Sequence, residues 1–150
     1  MLKHFSKISW LGVFLSLVFF SFFGWLYFTV LFPNQYAASL DKLGKMASEP
    51  DPIYFYGPPL TILPTLIVTA WLIVALNITS LKGAIELGLI VGVGYLAANT
   101  FDIAINPNIP HPGPYGLLVS GFQIPGILAS CIIMWKFRKN EQTRNRTFLS

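Results

Sequence analysis

Residues 8–32 read ISWLGVFLSLVFFSFFGWLYFTVLF, twenty-five positions without one charged side chain. About twenty apolar residues suffice to cross the hydrocarbon core of a bilayer. Three further stretches have the same character, at 60–76 (LTILPTLIVTAWLIVAL), 84–105 and 115–137. In lipid no water is available to satisfy the backbone, so each stretch must close its own hydrogen bonds as a helix. Only 11% of the chain is charged, against about 25% in an ordinary soluble domain. The sequence therefore predicts an all-α fold, an integral membrane four-helix bundle, with residues 1–150 as a single membrane domain embedded in the lipid bilayer.

The first stretch has Lys3 and Lys7 ahead of it and YAAS behind it, as a signal peptide would. Its apolar run is longer than a typical signal core, and it reads as a retained helix. Residues 33–59 form the longest connection, with a short amphipathic piece, QYAASLDKLGKMAS, and then Tyr54-Phe55-Tyr56, an interfacial aromatic anchor. NITSLKG makes a tight turn between the second and third helices, and NPNIPHPGPYG, with four prolines, stiffens the third connection. Residues 138–150 read as a basic cytoplasmic tail. With both termini inside, the inner side holds Lys3, Lys7, Lys82, Lys136, Arg138, Lys139, Arg144 and Arg146, and the outer side only Lys42 and Lys45. That bias predicts an inner-membrane protein with both termini in the cytoplasm. The basic residues gather at membrane flanks, which gives no nucleic-acid surface.

On the third helix Gly88, Gly92, Tyr95, Asn99, Asp102 and Asn106 are spaced four, three, four, three and four. In a regular α-helix that is one continuous face. Gly88 and Gly92 are expected to pack against another helix, since small residues four apart admit a close neighbour. The polar half points to a pocket open to the outside. Asp102 would supply its charge, with Asn99 and Gln123 orienting a ligand and Thr65 and Tyr27 nearby. The competing expectation is a polar helix end, with Asp102 bonded to Lys42, Lys45 or a backbone donor. Glu86 pairs with Lys82 one turn away.

No catalytic constellation emerges. GVGYLA lies inside a spanning helix and not at the strand-to-helix turn that a nucleotide fingerprint requires. Cys131 is the single cysteine, and His4 and His111 sit in different flanks, so neither a disulfide nor a metal site is expected, and no cofactor.

Three segments, GWLYFTVLFPNQY, GLIVGVGYLAANTFD and GFQIPGILASCIIMW, resemble domain-of-unknown-function family 1761, small bacterial membrane proteins, over roughly residues 10–135. The proline-rich third connection and Gln123-Ile124-Pro125 depart from that pattern. The resemblance implies four helices and no settled activity. Two functions remain open on these grounds. One is binding or movement of a small solute or cation through the polar pocket. The other is a structural accessory subunit in a homo-oligomer or a larger membrane complex.

Overall fold

The computed structural model describes residues 2–44 and 52–148. Its described chain is helical between short turns. Four helical segments are long and apolar enough to cross a membrane: Trp10–Leu31, Phe55–Ala75, Leu81–Ala104 and Pro112–Arg138. The molecule is a four-helix membrane bundle. We refer to these segments as the first to fourth spans. An even number of crossings leaves the two ends of the bundle distinct. One, the termini side, carries both ends of the described chain and the turn at 76–80. The other, the far side, carries the two longer connections.

The start of the second span differs from the sequence expectation. Its helix begins at Ile53, not near residue 60, and runs to Ala75 through Pro58, Pro59 and Pro64. A Gly-Pro-Pro step reads as a stop, yet the φ of proline is itself helical. Pro58 and Pro59 forfeit only bonds back to the first turn of the helix. Phe55 and Tyr56, the described part of the expected aromatic anchor, are exposed within that first turn. The fourth helix begins at Pro112, where a missing N–H costs nothing, and continues as far as Phe148. The side chains of the basic tail beyond Arg138 lie outside the described residues. In the first connection Pro33–Ser39 is a short helix with Ala37 and Ser39 buried.

The fourth span is the hub. Against the first span it packs antiparallel in strict register. A Cβ on Gly12 would stand 3.1 Å from Met134 Cα, and the Ser16 hydroxyl donates to the Ser130 carbonyl at 3.2 Å. Four residues further on, Phe20 covers Gly126, and four beyond that Phe122 covers Gly24. Each step of four along one helix meets a step of four back along the other. A small residue stands at every level, against a large one at Gly12, Gly126 and Gly24 and against another small one at Ser16 and Ser130, the close contact that lets helices attract one another in lipid. The second span adds Leu66, Ala70, Ile73 and Val74 to the shared core.

At the termini side Arg138 closes the bundle. It is 8% exposed, and its guanidinium donates to the carbonyls of Ile73 (2.7 Å) and Ile78 (3.2 Å) and to Asn77 Oδ1 (3.3 Å). Two of these acceptors are backbone carbonyls at the C-terminal end of the second helix and its following turn, and the Ile73 carbonyl, which also accepts from Ile78 N at 3.0 Å, is shared between turn and guanidinium. On the far side His111 Nε2 meets Asp41 Oδ1 at 3.0 Å, linking the first and third connections. Both side chains are exposed, so this link contributes little on its own.

Candidate functional site

The third span decides where the polar residues go. It starts as an ordinary helix, Leu81–Val91, whose Ser80 cap accepts from Gly83 N at 3.1 Å. Lys82 and Glu86 pair at 3.7 Å on its exposed side. Gly88 and Gly92 face the fourth span: a Cβ at Gly88 would lie 2.9 Å from Leu128 Cα, and one at Gly92 would lie 3.0 Å from Ile127 Cγ2. The helix then widens into a π turn, Gly92–Ala97, before resuming as Ala98–Ala104.

That wide turn breaks the stripe read from the sequence. A π turn takes up more residues per revolution than the 3.6 of an α-helix. Past Gly92 the buried positions are Leu96, Ala97, Thr100 and Ala104; of these Leu96, Thr100 and Ala104 continue the line of Ala84, Gly88 and Gly92 at intervals of four. Tyr95, Asn99, Asp102 and Asn106, which a regular helix would have carried on that line, are exposed. The continuous face expected from Gly88 to Asn106 is therefore corrected to two faces, one buried against the fourth span and one turned away from it.

Among the sequence-predicted ligand residues, the structure does not bring Asn99 to Gln123. Gln123 Oε1 accepts from the Thr100 hydroxyl at 2.7 Å instead. Asp102 is exposed and makes no hydrogen bond or ion pair among the described residues, Lys42 included; Lys45 lies outside the described residues. Thr65 lies on the second span, where its carbonyl accepts from Thr69 at 2.7 Å. Tyr27 lies in a second π turn, Leu26–Leu31, on the first span. Its ring packs among Phe23, Phe28, Phe32 and Phe122, and its hydroxyl stands over Gly121, 2.9 Å from where a Cβ would be. So Tyr27 and Thr100 approach the fourth span's far half, at Gly121 and Gln123, while Asn99 and Asp102 are exposed.

Thr100 is not legible from the sequence on a constant count of residues per turn, which carries Asn99 onto the buried line in its place. A signal existed: each π turn closely follows or contains glycine, Gly24 before the first and Gly92 and Gly94 in the second. In the first, Phe32 N bonds back to Tyr27 O at 2.9 Å across five residues, and the Thr29 hydroxyl donates to the Trp25 carbonyl. Nearby, the buried Ser120 hydroxyl has no partner among the described residues.

A family sequence model described as "Protein of unknown function (DUF1761)" matches residues 11–135. The chain belongs to this family. No curated protein and no solved structure matches it. The matched region takes in all but the ends of the four spans, including both π turns and the Thr100–Gln123 bond. It therefore covers both the buried and the exposed face of the third span. Among the described residues of this family member no three His, Cys, Asp or Glu side chains come together. What the described residues of the third and fourth spans offer in their far halves is hydrogen-bonding chemistry: amides, hydroxyls and the carboxylate of Asp102.

Proposed function

We propose that this chain is an assembly subunit of the bacterial inner membrane, with both termini in the cytoplasm, whose third span engages a partner within the bilayer. The observation that carries this reading is the exposed placement of Asn99 and Asp102. The third span has 24 residues, so about 36 Å of helix stands against about 30 Å of hydrocarbon. Counted back from its end at Ala104, Asn99 falls about 4–5 Å inside the hydrocarbon and Asp102 at its edge. A lone amide facing acyl chains is unfavourable, and polar residues in spans ordinarily face other protein. The orientation rests on the eight-to-two excess of Lys and Arg on the termini side.

The test is the native mass in mild detergent. A single chain is 16.7 kDa. The expected particle holds more protein than one chain, and Asn99→Leu shifts it toward the single chain. A particle of one chain alone, unchanged by Asn99→Leu, would remove the reading.

A second reading, a site for a small solute or cation, is favoured by Ser120. Its unpartnered hydroxyl lies buried one turn from Gln123. Because Asn99 and Asp102 face away from Gln123, such a site would need another chain to enclose all of them. Ion and solute titrations of wild type and Asp102→Asn test it: a response in the first that is lost in the second, at equal thermal stability, supports binding.

A further inference from the structure

The outward face of the third span has a composition that selects its partner. Gly94 lies on it with nothing within 4 Å of the position a Cβ would take. Ala98, one turn on, is exposed, and so are Tyr95 (62%), Asn99 and Asp102. Gly88 and Gly92, the other small pair of this helix, are already occupied by the fourth span. Gly94 and Ala98 thus form a second small pair, four apart, facing out of the bundle.

We infer that this face is a seam between two parallel copies of the chain, meeting at Gly94 and Ala98 and joined by Asn99. The inference rests on the assembly reading above and names its partner. The argument is complementarity. Two copies insert with one orientation, so across a twofold axis along the membrane normal each residue of the seam meets its own counterpart at equal depth. A face suited to that must pair with itself. An amide both donates and accepts, and so does a phenol, so Asn99 can bond Asn99 of the second copy and the Tyr95 hydroxyl has the same capacity. No fixed charge lies on this face at hydrocarbon depth, hence nothing there requires a partner of opposite charge. Gly94 and Ala98 remove the side chains that would hold two backbones apart. Asp102, the one group that repels its copy, stands at the hydrocarbon edge. There helices crossing at Gly94 and Ala98 have begun to diverge and water reaches the carboxylate.

The test uses the full chain in native membranes. Ala98→Cys is exposed and small, and mild oxidation should link two copies through it, since a disulfide needs Cα atoms within about 7 Å. Wild type is the blank, because Cys131 is fully buried. Val68→Cys, also exposed and on the second span, controls for random collision and should stay monomeric. In the Ala98→Cys chain, Gly94→Leu should abolish the linked dimer and Asn99→Leu should lower its yield about threefold to tenfold. Equal linking at Val68 and Ala98, or linking indifferent to Gly94→Leu, would overturn the seam. No linking at Ala98, with a native particle that holds a different protein, would overturn the second copy but leave the assembly reading standing. No linking, with a particle of one chain alone, would remove both.

Discussion

Thr100 donates its hydroxyl to Gln123 Oε1 at 2.7 Å, bridging the third and fourth spans one residue away from the exposed Asn99. The π turn at Gly92–Ala97 decides which of these two neighbours meets the fourth span. Thr100→Val keeps the shape and removes the donor. Interhelical hydrogen bonds in membranes contribute about 0.6 kcal/mol on average and up to about 1.7, so a loss in that range is expected from unfolding in detergent. Gln123→Leu in the Thr100→Val background should cost less than it does alone. Strict additivity of the two changes would mean that the bond carries no coupling.

The two small pairs of the third span make opposite predictions. A Cβ at Gly88 would sit 2.9 Å from Leu128 Cα, and backbone cannot swing aside as a flexible side chain can. Gly88→Ala is expected to destabilise by about 1–3 kcal/mol, and Gly92→Leu by more, with a lower yield of folded protein. Gly94→Ala meets nothing within its own chain, so in detergent that separates the copies it should be neutral or stabilising by up to about 1 kcal/mol through helix propensity. Thermal unfolding of the three variants side by side decides it. Equal midpoints for Gly88→Ala and Gly94→Ala would contradict the packing.

The four spans were legible because chain length and apolarity leave the backbone no other way to cross lipid. The contact faces were legible only where the helix kept its regular period. Gly88 and Gly92 precede the wide turn and face the fourth span, whereas Tyr95, Asn99 and Asp102 follow its start and rotate away. One extra residue in a turn moves every later side chain by roughly 100°, and apolar periodicity does not register so local an insertion. The start of the second span was hidden for a different reason: Pro58 and Pro59 read as a break where their fixed φ continues the helix.

Arg138 was legible as one of the flanking charges but not as a clamp. Its bonds to the Ile73 and Ile78 carbonyls and to Asn77 Oδ1 depend on a planar, forked donor. Lysine keeps the charge and loses the fork. Arg138→Lys is therefore expected to destabilise by about 1–3 kcal/mol, the scale for a buried charged hydrogen bond left unmade. Hydrogen exchange should localise the effect to residues 73–78. Unchanged exchange there would show that the turn holds without the guanidinium.

The orientation can be read from two lysines. Lys42 is exposed in the first connection, and the Lys82 side chain is 86% exposed at the start of the third span, on the opposite side of the bundle. Neither Lys42→Cys nor Lys82→Cys is expected to disturb packing, because neither lysine is buried. Wild type should remain unlabelled by a membrane-impermeant thiol reagent, since Cys131 is fully buried. In intact cells Lys42→Cys should label and Lys82→Cys should not. After the membrane is made permeable both should label. That order follows from holding the larger share of Lys and Arg in the cytoplasm. Labelling of Lys82→Cys alone in intact cells would invert the topology. It would also place Asn99 and Asp102 nearer the cytoplasmic leaflet, with the geometry of the seam unchanged.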